Sequence, residues 1–217
     1  MSSRAAGLLD RLQELALRLD SRRIFIAIGT IIVLLGVLDV LYLVFGSPFG
    51  IFDLNGERNV PATLSAALWT CVSVVALLLG RAEQPAAVAR VWLALFALLL
   101  YVSADEFGEI HERLERITGV DWQILYAPLG LVAAGLWVLV GRRLRGLRAG
   151  FGLFVGGTVC AVVSQMIEEV EYGANDQRVS AFDELVVGEE VLEMLAAVFV
   201  GLAFLAALRA VCRQTQA

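Results

Sequence analysis

The sequence has no lysine, one histidine and few charged residues of any kind. All 17 basic residues are arginines, and charged residues make up 18% of the 217 positions, against about a quarter in soluble domains. Hydrophobic residues account for 59%, and the net charge is −5. The composition excludes an ordinary soluble globular protein, and the acidic balance gives no reason to expect a nucleic-acid partner.

Cysteine is also scarce. The three cysteines, Cys71, Cys160 and Cys212, are an odd number, and each lies within or at the end of an apolar stretch. This pattern does not predict a disulfide framework.

Long apolar stretches dominate what is present. A membrane-spanning helix needs roughly 20 apolar residues, rising about 1.5 Å each, to cross a hydrocarbon core about 30 Å thick. Six stretches qualify, and they cover residues 24–45, 61–80, 91–112, 122–141, 149–169 and 185–208. The sequence therefore predicts an all-α, six-span helical bundle over residues 24–213, lying in the lipid bilayer of a bacterial inner membrane.

Arginines in the short loops indicate the orientation, because cytoplasmic loops are enriched in positive charge. With the N-terminus inside, thirteen arginines are cytoplasmic and four are outside. The outer four are Arg58, Arg113, Arg116 and Arg178. Six spans then place both termini in the cytoplasm.

Residues 1–23 predict a cytoplasmic amphipathic helix rather than a signal peptide, since Asp10 and Glu14 interrupt any hydrophobic region. Apolar side chains recur at helical spacing: Leu8, Leu9, Leu12, Leu15, Ala16 and Leu19. Arg4, Arg11 and Arg18 follow one another at seven-residue intervals beside them. Such a helix can lie on the anionic inner leaflet or dock on a partner subunit.

Acidic residues lie near the outer ends of four spans. Counted from the arginine at each cytoplasmic end, Asp39 lies about 24 Å up its helix, Asp105 about 22 Å and Glu193 about 24 Å. These three share one level, several ångströms below the outer membrane surface. Three further acids stack just above them, at about 28 to 30 Å: Glu109, Glu168 and Glu190.

Helical periodicity predicts that some of these carboxylates share a face, because residues at i, i+4 and i+7 align. Asp105, Glu109 and Glu112 have this spacing in the third span, and Glu189 with Glu193, or Glu190 with Glu193, has it in the sixth.

The single histidine, His111, lies inside this acidic segment. On an ideal helix it points roughly 120° away from Asp105 and pairs with Glu115 instead, unless Gly108 bends the helix.

Carboxylates inside a membrane are costly and repel one another, so a bound cation, retained protons or a water-filled vestibule must offset their charge. An oxygen-rich site with at most one nitrogen favours Mn, Ca or Mg over Fe or Zn. We predict a divalent-cation site with the candidate ligands Asp39, Asp105, Glu109, His111, Glu112, Glu168, Glu190 and Glu193. In a metalloenzyme acting on a lipid-like substrate, Glu106 or Glu112 could serve as general base.

Other functions stay open. An accessory subunit of a membrane complex fits the small-residue faces at Gly152 and Gly156 and at Gly130 and Ala134, where a partner or second copy can pack. A cation or proton translocator would need polar groups toward the cytoplasm, where only scattered hydroxyls occur. The acids can also be simply solvated, since the charge rule for orientation is nearly indifferent to Asp and Glu.

Two short acidic segments carry a resemblance to known sequences. The first is Asp105-Glu106-x4-His111-Glu112, and the second is Glu189-Glu190-x2-Glu193-Met194. Together they resemble a pattern in uncharacterised bacterial polytopic membrane proteins. The resemblance covers the third, fifth and sixth spans and implies that the two segments belong to one site.

The predicted topology can be tested with reporter fusions placed after Gly80, Gly141 and Ala217. All three should report a cytoplasmic location, because the thirteen-to-four arginine distribution puts these positions inside. A fusion after Gly119 serves as the control and should report the opposite side. An outside signal at any of the first three positions would contradict the six-span topology.

Overall fold

Helices account for nearly all of the chain in the computed structural model, which describes residues 3–46, 49–54, 59–172 and 183–216. Within these ranges there is no strand. The helices are α1 (Ser3–Arg18), α2 (Ser21–Phe45), α3 (Val60–Ala82), α4 (Ala86–Gly108), α5 (Ile110–Thr118), α6 (Trp122–Leu144), α7 (Arg148–Tyr172) and α8 (Asp183–Gln216). All but α1 and α5 are long and apolar enough to cross a membrane. The predicted all-α, six-span bundle with an N-terminal helix is confirmed.

Capping side chains determine where the first two spans begin. Asp20 accepts a hydrogen bond from the backbone N–H of Arg22, with a distance of 2.9 Å, at the start of α2. Asn59 accepts one from Ala62, at 3.1 Å, at the start of α3, where Pro61 occupies the first turn. These caps satisfy N–H groups that the first turn of a helix leaves unpaired.

The third span ends earlier than the sequence pattern predicts. α4 stops at Gly108, Glu109 takes a left-handed conformation with φ of 53°, and a separate helix, α5, begins at Ile110. A left-handed residue interrupts the periodicity of a right-handed helix. The prediction that Asp105, Glu109 and Glu112 share one helix face is therefore wrong.

α8 is the central helix of the bundle and packs against α7, α3 and α2. Phe204 and Leu208 of α8 are fully buried. The ring of Phe204 meets Trp92 of α4 edge-on, with 5.0 Å between the centroids. A helix that is apolar on all sides suits this position, because every face contacts another helix.

α6, in contrast, packs loosely at the periphery. Near one end, Arg143 donates two hydrogen bonds to the buried carboxylate of Glu83, at 2.9 and 3.0 Å. Near the other end, the hydroxyls of Tyr126 and Tyr101 of α4 are hydrogen-bonded. A paired guanidinium and carboxylate form a strong, directional contact. α6 is thus tied to its neighbours near both ends, and between them Trp137 packs against Phe154 of α7, with 4.7 Å between the ring centroids.

α1 lies against the arginine-rich end of the bundle. Arg81 of α3 pairs with Asp10 at 3.1 Å, and the Gln13 amide donates to the Cys212 sulfur of α8 at 3.3 Å. Two leucines of α1 remain exposed, Leu8 and Leu15. One side of the helix therefore contacts its own bundle, while part of its apolar surface points away from it.

α7 and α8 approach closely at Gly157. A Cβ atom there would lie 2.8 Å from the Val200 side chain and 3.0 Å from the Ala196 carbonyl oxygen. A Cβ atom at Gly152 or Gly156 would have open space around it. These two glycines are therefore not the residues at which α7 and α8 approach closely. Their faces stay available to other helices.

Replacing Gly157 by alanine should destabilise the bundle, whereas replacing the neighbouring Gly156 should not. The added methyl group at Gly157 would collide with α8 backbone and side chain, and overpacking of this kind costs typically about 1–3 kcal/mol. Thermal unfolding of the purified Gly157→Ala and Gly156→Ala variants in detergent measures the difference. Equal melting temperatures for the two variants would contradict this packing arrangement.

Candidate functional site

Three carboxylates from two helices come together inside the bundle. Glu106 lies on α4, and Glu190 and Glu193 lie one turn apart on α8. One oxygen from each carboxylate lies within 4.8 Å of the other two, and all three residues are half-buried. No other set of three or more acidic, histidine or cysteine side chains is so arranged in the described ranges. We call Glu106, Glu190 and Glu193 the acid cluster.

The positions of these residues along their helices explain why they meet. Glu106 follows Arg90 by sixteen residues, and Glu193 precedes Arg209 by sixteen, so each lies about 24 Å from the arginine-rich end of the bundle. Glu190 lies one turn further out on the same face of α8. The two acidic segments of the sequence thus contribute side chains to one place.

Two serines from other helices border the acid cluster. The Ser65 hydroxyl of α3 is buried and lies within hydrogen-bonding reach of the Glu106 carboxylate. The Ser164 hydroxyl of α7, also buried, is within reach of both the Glu193 carboxylate and the Ala161 carbonyl oxygen, the latter at 3.0 Å. The site is therefore lined by α3, α4, α7 and α8.

Further negative charge surrounds Glu193. Glu189 and Glu168 are both close enough to interact with it electrostatically. The Glu168 carboxylate accepts a hydrogen bond from the Gln165 amide, at 2.8 Å. Like charges at this range repel one another, so the arrangement favours a positively charged or protonated state at its centre.

A second polar network lies beside the acid cluster and is centred on Asp105. Its carboxylate accepts hydrogen bonds from the His111 backbone N–H at 2.9 Å and from the Tyr126 hydroxyl at 3.2 Å. The other carboxylate oxygen lies 3.1 Å from Nδ1 of His111. Both Asp105 and His111 interact electrostatically with Glu106.

The left-handed turn at Glu109 makes this network possible. On an unbroken helix His111 would point away from Asp105, but the break after Gly108 turns it back. His111 therefore pairs with Asp105, and the prediction that it points away from Asp105 is wrong because the helix does not continue through Glu109. Its ring also packs against Trp122, with 5.4 Å between the centroids. A carboxylate on one ring nitrogen fixes the orientation of an imidazole.

Asp39 is buried elsewhere and has a different set of contacts. Its Oδ1 accepts a hydrogen bond from the backbone N–H of Leu54, at 3.0 Å. Leu54 follows the 3₁₀ turn Phe49–Phe52 and is itself buried. Asp39 thus anchors the loop after α2 against the bundle and does not belong to the acid cluster.

The remaining predicted ligands are placed as follows. Glu109 forms an ion pair with Arg116 of α5, at 3.6 Å. Glu168 lies next to the acid cluster through Glu193. The side chain of Glu112 lies outside the part of the chain that the structure describes.

The sequence predicts Glu190 and Glu193 as ligands and Glu106 as a candidate general base, and the structure brings these three residues together. Adjacent residues on a helix point about 100° apart, so Asp105 and Glu106 face different networks. Counting residues from the arginine at the end of each helix favours Glu106 as the partner of Glu193, since each lies sixteen residues from its arginine, Arg90 or Arg209. No sequence signal singles out Ser65, because its role depends on how α3 is rotated against α4.

Comparison with known proteins identifies the family. The chain belongs to the family described as a domain of unknown function, DUF8692, which matches residues 23–208. The match covers four spans completely, most of the first and last spans, and every residue of the acid cluster. No curated protein and no solved structure matches the chain.

Substitution of Asp39 tests its role as a loop anchor. In an Asp39→Ala variant the Leu54 amide loses its acceptor, and loss of a buried hydrogen bond costs about 1–3 kcal/mol. Amide hydrogen exchange of the peptide containing Leu54 should accelerate by about tenfold or more. Asp39→Asn retains an acceptor oxygen and should restore part of the protection. Unchanged exchange in Asp39→Ala would contradict the anchoring role.

Proposed function

We propose that this member of the DUF8692 family binds a divalent cation through Glu106, Glu190 and Glu193, near the extracytoplasmic side of a bacterial inner membrane. The observation that carries the proposal is the convergence of three carboxylate oxygens within 4.8 Å of one another. Oxygen ligands of Ca²⁺ lie about 2.3–2.6 Å from the ion and those of Mg²⁺ about 2.0–2.1 Å, so two ligands of one ion are at most about 5 Å apart.

The chemistry of the surrounding groups supports the same proposal. The buried Ser65 hydroxyl lies against the Glu106 carboxylate, so its oxygen can act as a further ligand or bind an ion-bound water. All nearest donors in the acid cluster are oxygens, which favours Mn, Ca or Mg over Fe or Zn.

A cation bound here would retain open coordination positions, since these metals take six or more ligands and the acid cluster supplies three carboxylates. Water and a substrate oxygen can fill such positions, as metal-dependent hydrolytic chemistry requires. Glu106 acts as a ligand in this proposal rather than as a general base. The Asp105–His111 pair lies next to it and can orient a water or substrate group.

The hydroxyl groups below the acid cluster argue against translocation. The Ser103 hydroxyl donates to the Ala66 carbonyl oxygen, the Thr70 hydroxyl is bonded to Ser103, and the Ser73 hydroxyl donates to the Thr70 carbonyl. The hydrogens of these hydroxyls are used in hydrogen bonds within α3 or between α3 and α4. Further down, the bundle interior is apolar and closed, with residues such as Ala76, Leu79 and Leu95 fully buried.

An accessory role in a membrane complex has one specific observation in its favour. A Cβ atom added at Gly130, Gly152 or Gly156 would meet open space. Another helix could pack there. Such a role is compatible with a cation site and would show as co-purification of a defined partner.

Metal content and thermal stability together test the cation proposal. The wild-type protein, loaded with Mn²⁺ and desalted, should retain about one ion per chain by mass spectrometry. Glu106→Gln, Glu190→Gln and Glu193→Gln should each lose most of it, because each removes a carboxylate ligand. Asp39→Asn is the matched control, because Asp39 is a buried acid at the same height along its helix but outside the acid cluster. This variant should retain the metal.

A chelator should lower the melting temperature of the wild-type protein and have less effect on Glu193→Gln. An ion at a hundred times its dissociation constant stabilises the folded state by about 2.7 kcal/mol, and its removal leaves mutually repelling carboxylates. If protons neutralise the acid cluster instead, the chelator has no effect and stability falls as pH rises, because deprotonation restores the repulsion. Wild-type protein that binds no Mn²⁺ and ignores the chelator would contradict the proposal.

A further inference from the structure

A groove of about 770 Å³ lies between α6 and α7 on the side of the bundle that α6 covers loosely. Its floor is formed by small residues, Gly130 and Ala133 of α6 and Ala161 of α7. Trp137 and Met166 form larger parts of its wall. The volume lies within the range of about 300–1,000 Å³ that is typical of ligand-binding pockets.

The polar groups in the wall of this groove are nearly all engaged with one another. Trp137 donates its indole N–H to the Thr158 hydroxyl at 2.8 Å, and Thr158 donates in turn to the Phe154 carbonyl oxygen at 2.8 Å. Gln165 donates to Glu168 at 2.8 Å. An occupant therefore meets an apolar surface along the groove and the Gln165 amide at one end, where the amide is hydrogen-bonded to Glu168 outside the lining.

The polar end of the groove is also the end nearest the acid cluster. Thr158 is ten residues from Arg148 and Gln165 is seventeen, so the groove extends from about 15 Å to about 26 Å above the arginine-rich end. Gln165 is thus level with Glu193, and Glu168, its hydrogen-bond partner, interacts electrostatically with Glu193.

This polarity matches a lipid better than a second transmembrane helix. A lipid of the outer leaflet is apolar toward the membrane centre and polar at its upper end, as the groove is. A transmembrane helix stays apolar up to the membrane surface, and it would leave the Gln165 end of the groove facing apolar side chains.

We propose that the α6–α7 groove binds the acyl chain of an outer-leaflet lipid and thereby brings the polar head of that lipid to the acid cluster. The proposal rests on the proposed cation site and assigns its ligand class, a long-chain lipid whose head contains oxygen atoms able to contact the cation.

Native mass spectrometry of the full-length protein, delipidated and then incubated with dioleoyl phosphatidylglycerol, tests the groove. The wild type should retain one lipid per chain at detergent concentrations that strip surface lipids. Gly130→Leu fills the groove and should lower lipid occupancy by about tenfold or more. Gly135→Leu is the matched control, because Gly135 lies on the same helix, has open space around it and does not line the groove.

The outcomes separate this proposal from the cation site. Gly130→Leu should still bind Mn²⁺, and Glu193→Gln should lose Mn²⁺ while keeping the lipid. A wild type that retains lipid but no Mn²⁺ supports the groove and contradicts the cation site. Absence of retained lipid in the wild type, or equal occupancy in the two leucine variants, overturns the groove proposal. Conversion of a dimer to a monomer by Gly130→Leu alone also overturns it, because the groove would then be a protein interface.

Discussion

Repulsion between carboxylates held inside the membrane thickness is the constraint on which this structure depends. A single charge at the centre of a bilayer costs a few kcal/mol on insertion scales, and Glu106, Glu190 and Glu193 lie within 4.8 Å of one another. Half-burial and the serines of α3 and α7 offset part of this cost. In the proposal above, a cation or retained protons offset the remainder. The apolar packing around α8 supplies the rigidity that keeps the three carboxylates together despite their repulsion.

The break between α4 and α5 separates two polar networks that would otherwise compete for space. Consecutive residues of α4, Asp105 and Glu106, point in different directions. Glu106 meets α8, while Asp105 accepts hydrogen bonds from α5 and α6. The left-handed Glu109 is the residue that turns the chain and returns His111 to Asp105. A conformation that is uncommon for a non-glycine residue is thus offset by the hydrogen bonds that it permits.

The helices differ in how firmly they are held, and this difference has a functional meaning. α3, α4, α7 and α8 form the well-packed part of the bundle and carry the acid cluster and its serines. Binding groups on rigid helices keep their relative positions. α6 is tied to its neighbours near both ends and borders the groove. A rigid site with one loosely packed wall is suited to a ligand that enters laterally from the membrane.

The sequence by itself determined the class of fold, the number of spans and the level at which the acids lie, because length, hydropathy and rise per residue are local properties of a helix. It could not determine which acids meet. Asp39, Asp105 and Glu193 share a level, but contact also depends on how each helix is rotated and where it ends. Asp39 is hydrogen-bonded to the Leu54 amide, and Asp105 contacts His111. The rotation of α4 against α8 brings Glu106, the residue after Asp105, to the acid cluster instead. Only the tertiary structure decides this, because rotation and neighbour choice arise from packing between helices distant in sequence.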